Sequence, residues 1–216
     1  MDMALYEVWT EKYRLAQANM AKRTGDGILI EVAAQHPLVD GLFPNEEFEK
    51  RLLLALSLYT ELKPSSSRVR IYVPGSIHME NGQADQISLS EAGRRFLLNK
   101  GVPAQDIYSE DMNQKFKGAA GVYNSSDECY VSSQIFESEG FSKLHCVCSS
   151  AQAMRKVLSY IYFGYVPYVH TVSCDKMYHS YINEVFRDIP ILLADGTALQ
   201  GASDEADRLR RLRKPQ

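Results

Sequence analysis

Strand-like and helix-like segments alternate along almost the whole chain, and that alternation restricts its fold more than any other feature. Ile28 to Ala34 (ILIEVAA) reads as a first buried strand. Phe48, Arg51, Leu52, Ala55, Leu58, Tyr59 and Leu62 then recur at helical spacing until Pro64 and three serines stop them. Val69 to Val73 is a second strand running into Pro74-Gly75-Ser76, and shorter strands follow around Ile107–Tyr108, Leu144–Cys148 and Val166–Val172. Strands joined through helices run parallel and are covered on both faces, so the expected class is α/β, a doubly wound, mostly parallel sheet. An amphipathic helix over residues 1–24 packs on it, a charged helix or tail over 202–216 ends the chain, and Ile191–Ala194 adds an edge strand. With 216 residues, 45% of them hydrophobic, the chain has enough apolar material for one sizeable core, and a single domain over 1–216 is expected.

Local signals mark the helix ends. Ser88-Leu89-Ser90-Glu91 has the form of a capping box, and Gly101-Val102-Pro103 supplies the stop of the same helix. Ser125-Ser126-Asp127-Glu128 reads as a second box opening a helix that Gly140 closes, and Asp175 as the cap of a later one. Ile77 to Ile87 and Lys115 to Gly121 show little periodicity and read as loops. The tyrosines Tyr160, Tyr162, Tyr165, Tyr168, Tyr178 and Tyr181 fit aromatic packing against the sheet better than a pocket lining.

Charge and cysteine usage exclude some function classes. The net charge of −3 and pI near 6.0 give no basic field for nucleic acid. The run Arg208, Arg210, Arg211, Arg213 and Lys214 lies beside Asp204, Glu205 and Asp207, as on a solvated helix end. Cys129, Cys146, Cys148 and Cys174 have no CxxC spacing and read as buried thiols of a reducing compartment. With no basic-then-apolar leader and no apolar run of about 20 residues, the expected location is the cytoplasm, without a membrane partner.

In an open parallel sheet, ligands bind beyond the carboxyl ends of the strands. Those ends carry Gln35 and His36, then Gly75, Ser76 and His78, then Glu110 and Asn113, then Ser149, Ser150, Gln152 and Arg155. The last group closes FSKLHCVCSSAQAMRK (141–156), which passes from a strand pattern to a helix with two serines as candidate caps. Free N–H groups, the positive helix end and Arg155 together suit an anion. Neither GxGxxG nor the P-loop pattern occurs, which disfavours a standard dinucleotide or NTP site.

The order of these motifs resembles a bacterial family typified by YdcF, SanA and ElyC. The resemblance rests on Gly75-Ser76, Ser90-Glu91-Ala92, Gly101-Val102-Pro103 with Ile107 and Glu110, Asn124 to Glu128, and Ser149 to Arg155, and it covers about residues 26–172. It implies a Rossmann-like fold with a polar pocket at the motif ends, adding Asn124 and Ser125 to the ligand-binding residues. Members are associated with S-adenosylmethionine binding or cell-envelope processes. Where the family usually has a second glycine this chain has Ser76-Ile77, and where it usually has a histidine this chain has Gln152, which cannot exchange a proton near neutral pH.

The leading expectation is an enzyme acting on a small anionic metabolite bearing a phosphate, nucleotide or carboxylate, by hydrolysis or group transfer. Arg155 and the N–H groups after Ser149 would clamp the anion, and Glu110 would be the catalytic base or a metal ligand, or else a carboxylate that holds a loop. Asp85, Glu110, Asp127 and Glu128 are the carboxylates from which a magnesium site would have to be drawn. The alternative is a binding module for a nucleoside-like ligand such as S-adenosylmethionine. A third expectation is a structural or assembly protein whose amphipathic terminal helices pair between subunits, as in a homodimer.

Overall fold

The computed structural model describes residues 3–80 and 83–173. Asp175, the strand expected at 191–194, the C-terminal helix and Cys174 lie outside them. Five strands form one all-parallel sheet: β1 (Ile28–Val32), β2 (Val69–Tyr72), β5 (Ile107–Tyr108), β6 (Lys143–Ser149) and β7 (Tyr168–Val172), in the order β5-β2-β1-β6-β7. The fold is therefore the Rossmann-like α/β arrangement, with the first strand central and the order of strand addition switching from one side of β1 to the other at the β1/β6 pair. A two-stranded antiparallel hairpin, β3 (Met79–Glu80) and β4 (Gln83–Ala84), occupies the segment expected to be a loop.

Alternation along β1 builds two cores. Ile28, Ile30 and Val32 join Val69, Ile71 and Val147 against α2 (Glu46–Leu62) and α3 (Leu89–Asn99). Leu29 joins Tyr72, Leu144, Cys146 and Cys148 against α5 (Ser125–Ser138) and α6 (Ala153–Tyr162). Each fully buried leucine, isoleucine or phenylalanine contributes roughly 1.5–3 kcal/mol, so the core-facing stripes hold the layers together. The N-terminal helix α1 (Met3–Ala21) packs beside α6, where Asn19 donates to the Gly164 carbonyl at 3.1 Å and Lys12 Nζ sits 4.3 Å from the Tyr162 ring centre. Cys129, Cys146 and Cys148 are buried free thiols, and burial pushes the Cys129 thiol up. Tyr160 and Tyr165 pack in the core, whereas Tyr168 is exposed.

The helix ends follow their local chemistry, with three departures from the sequence reading. Ser88 caps α3 and accepts from the Glu91 amide at 3.0 Å, as expected. The cap of α5 is Asn124 rather than Ser125: its Oδ1 accepts from Asp127 N at 2.9 Å, while Asp127 Oδ2 accepts from Tyr123 N and Asn124 Nδ2. The box is thus shifted by one residue, which turns Glu128 inward. Residues 110–117 form a helix, α4 (Glu110–Lys117), followed by a 3-10 turn at 118–120, where the sequence suggested a loop from Lys115. Acidic residues in its first turn and lysines in its last complement its dipole, and Met112 and Phe116, four apart, pack on the α5–α6 core. Finally, Ser149 and Ser150 do not cap α6. Ser149 remains in β6 opposite Val172, an intervening turn places Gln152 at the cap position, and no side chain caps there.

Gly75 shows why the loop after β2 needs glycine. Its φ is +106°, and an added Cβ would lie 2.8 Å from Leu89 Cβ and 3.2 Å from Ala34 Cβ. The close approach is to protein rather than to a ligand. Gly75→Ala is expected to lose about 3 kcal/mol, combining left-handed strain with overpacking. Gly101→Ala, where φ is +88° but no atom lies within 4 Å, is expected to lose only the strain, about 1–2 kcal/mol. Urea unfolding of both variants measures the difference, and equal losses would rule out the packing contribution at Gly75.

Candidate functional site

Strand order switches sides at the β1/β6 pair, and the carboxyl ends of these two strands, the crevice referred to below, are where a fold of this class presents its loops. The loop after β1 is held from both faces of the sheet. From α2, the fully buried Arg51 donates through Nη1 to the carbonyls of Ala33 (2.9 Å) and Ala34 (3.0 Å), and through Nη2 to Gln35 Oε1 (3.0 Å) and Glu47. From α5, Glu128 Oε1 accepts the Ala34 amide at 3.1 Å. Gln35 Nε2 donates to the His36 carbonyl at 3.0 Å, so the Gln35 side chain is used in shaping the loop.

Beneath the crevice lies a buried charge cluster. Lys156 Nζ, on α6, donates to Glu31 Oε1 on β1 at 2.6 Å and to Glu128 Oε2 at 2.5 Å. Tyr160 OH donates to Glu31 Oε2 at 3.3 Å, so all four carboxylate oxygens accept a donor. Burial works against the Lys156 ammonium, yet the carboxylates of Glu128 and Glu31 hold its pKa well above the ordinary lysine value. Burial raises Glu128, opposed by the charge of Lys156. Burial and the charge of Glu31 also push Tyr160 well up. The cluster fixes α6 against β1 and α5, and so sets the position of Gln152, one turn before Lys156.

At the start of α6 the structure leaves polar capacity unused. Ser149 is fully buried and Gln152 is 9% exposed, yet Ser149 Oγ and Gln152 Oε1 have no hydrogen-bond partner in the protein. A buried polar atom left unpaired costs about 1–3 kcal/mol, which a bound group able to hydrogen-bond would recover. Arg155 is buried in the first turn of the same helix. Ser150 is exposed, and its amide donates to the Val172 carbonyl at 2.9 Å, away from the helix end.

The remaining expected residues form a second group at the ends of β2 and β5, and most are engaged internally. The Ser76 amide donates to the Val122 carbonyl, and Ser76 Oγ accepts from the Val122 amide, both at 2.9 Å. The Gly75 carbonyl accepts from Ser90 N at 3.0 Å and from Asn113 Nδ2 at 3.5 Å, while Asn113 Oδ1 takes the Tyr72 hydroxyl at 2.5 Å. Asn124 and the buried Ser125 belong to the start of α5. Glu110 Oε2 accepts Ser88 Oγ at 2.9 Å, which links it to the cap of α3. His78 stacks on His36 with ring centres 3.6 Å apart and planes 23° from parallel, so two histidines from different loops meet at this edge.

The carboxylates considered for a cation are not gathered together. Asp127 is bound by Lys117 Nζ at 2.9 Å and by Asn124, and Glu128 by Lys156. Among the described residues no group of three or more His, Cys, Asp or Glu side chains could hold a metal ion.

Sequence reasoning missed Arg51, Glu31 and Lys156 as organisers of the crevice. The available signal was the same for each: a charged residue placed where the local pattern calls for an apolar one, as in the glutamate of ILIEV or the arginine within the α2 stripe.

The five-stranded parallel sheet with its covering helices defines an α/β protein with a switch point in strand order between β1 and β6. No family model, curated protein or solved structure matches this chain significantly. Among the described residues no helix is long and apolar enough to cross a membrane.

Proposed function

We propose that this protein binds a small anionic metabolite in the β1/β6 crevice and acts on it by hydrolysis or group transfer. The observation that carries the reading is the pair of buried, unpartnered polar atoms, Ser149 Oγ and Gln152 Oε1, beside Arg155 at the start of α6. The helix end and Arg155 favour negative charge, whereas Gln152 Oε1 accepts only. A phosphate-, nucleotide- or carboxylate-bearing compound that also offers a hydroxyl or amine donor satisfies both. Glu110 and the His36–His78 pair, at the same sheet edge, are the groups available to take a proton. The resemblance of the motif order to that of the YdcF-like family supports a ligand at this edge.

A specific observation favours a second reading, a binding module for a nucleoside-like ligand such as S-adenosylmethionine. Glu110 is tied to Ser88, which also caps α3, as a structural carboxylate would be. Thermal-shift screening against phosphate, nucleoside monophosphates, sugar phosphates, dicarboxylates and S-adenosylmethionine, with product analysis of each hit, separates the two. For Gln152→Leu we expect stability unchanged or raised by about 1 kcal/mol, because an unpaired buried atom is removed, together with loss of ligand-induced stabilisation. A variant that is no more stable and binds as well as the parent would sink the crevice as the site. A hit that is bound but never converted, with or without Glu110→Gln, would leave the binding module.

A further inference from the structure

Ten large apolar side chains are exposed among the described residues, and six of them lie on one end of the molecule. Val39 (49%) and Phe43 (60%) come from the loop after β1, and Ile77 (44%) and Met79 (65%) from the loop after β2. Tyr123 (51%) precedes α5, and Met154 (55%) opens α6. All four segments are at the carboxyl edge of the sheet, where the crevice opens.

Three of these segments are joined by backbone hydrogen bonds. The Gly41 carbonyl accepts from the amides of Gln86 (2.9 Å) and Ile87 (3.3 Å), tying the 39–43 loop to the end of the β3–β4 hairpin segment. The Asp85 amide donates to the His78 carbonyl at 2.9 Å, closing that segment onto the loop that carries Ile77 and Met79. The Ser76–Val122 pair then joins it to the segment carrying Tyr123. The His36–His78 stack bridges the first two loops from within. Met154 lies two residues beyond Gln152, in the first turn of α6. Scattered apolar residues need no explanation, but exposed ones gathered around a polar recess mark a surface that meets apolar matter.

Resting on the anion reading above, we propose that the ligand is an amphipathic anion: a phosphate or carboxylate group seated at Ser149, Gln152 and Arg155, esterified or otherwise joined to an alkyl or aryl group that lies on the rim of Val39, Phe43, Ile77, Met79, Tyr123 and Met154. The polar recess accounts for the head and its hydrogen-bond donor. The rim accounts for the rest of the molecule, because Met154 follows Gln152 by two residues and the other rim loops leave the same carboxyl edge of the sheet.

Calorimetric titration of the full chain at pH 5 with methyl, butyl, hexyl and phenyl phosphate tests this, since each monoester then keeps one P–OH donor beside its anionic oxygens and the series changes only the apolar group. The expected result is affinity rising at least tenfold from methyl to hexyl phosphate, and falling back to the methyl value in Ile77→Ser/Met79→Ser. Leu53→Ser, which removes an exposed leucine on α2, is expected to keep the full increase. Equal affinities along the series, or an increase that survives the double substitution, would overturn the rim while leaving the anion site standing. No binding of any monoester would overturn both. Sedimentation with phosphatidylcholine vesicles in the absence of any phosphate ester, abolished by the same double substitution, would assign the rim to a membrane surface instead and overturn the proposal.

Discussion

Lys156→Met is expected to destabilise the protein by about 3–5 kcal/mol, the usual loss when one partner of a buried charged set is removed. Lys156 is wholly buried and is the only ammonium hydrogen-bonded to Glu31 and Glu128 among the described residues. Without it, two carboxylates face one another in the core, and one or both must take up a proton on folding. The sign of the pH dependence follows. A carboxyl group whose folded pKa is raised contributes stability that is lost as pH rises through the window between its unfolded and folded values. The deficit of Lys156→Met should therefore be smaller at pH 5 than at pH 8, and adding Glu128→Gln should recover part of it. Urea unfolding of the parent, single and double variants at both pH values is the measurement. A loss independent of pH and unrelieved by Glu128→Gln would show that Lys156 acts through packing alone.

Arg51→Met should cost about 3 kcal/mol, because one guanidinium serves the carbonyls of Ala33 and Ala34, the side chain of Gln35 and the carboxylate of Glu47. Methionine fills much of the same volume, so the loss reads the hydrogen bonds more than a cavity. It also has a second consequence that Lys156→Met need not share. The loop carrying Gln35 and His36 would lose its support from α2 while α6 keeps its seat. Ligand-induced thermal stabilisation should therefore fall by more than global destabilisation explains. Comparing ligand-induced shifts in Arg51→Met and Gly101→Ala, each measured against its own ligand-free midpoint, isolates that effect; parallel shifts in the two would remove Arg51 from any role in shaping the site.

The layer architecture was legible from sequence because its causes are local. Alternation in ILIEV, the helical stripe of α2 and the cap at Ser88 each depend on residues within a few positions of one another. Helix α4 was overlooked although its signals were present: Glu110 and Asp111 against Lys115 and Lys117, with Met112 and Phe116 one turn apart. Its short length and polar composition hid the period. The candidate edge follows from strand ends, a topological argument, and at the start of α6 Ser149, Gln152 and Arg155 are all buried. What local reading could not supply was pairing across the fold. Glu31 and Lys156 are 125 positions apart, and nothing in either neighbourhood names the other. The same distance argument covers His36 and His78, which looked like single loop histidines until the β1 and β2 loops were placed side by side.

Ala34 illustrates a kind of importance that side-chain substitution does not reveal. Its amide hydrogen goes to Glu128 on one helical layer and its carbonyl oxygen accepts from Arg51 on the other, so the backbone of a single residue is riveted between them. Many residue types can offer those two atoms, and an alanine scan by construction leaves this position blank. The information resides in the main chain, where its signature is a protected amide proton outside the strand ladder rather than an invariant letter. For a protein of this kind, the positions that hold the site in shape and the positions that a substitution survey highlights are different sets.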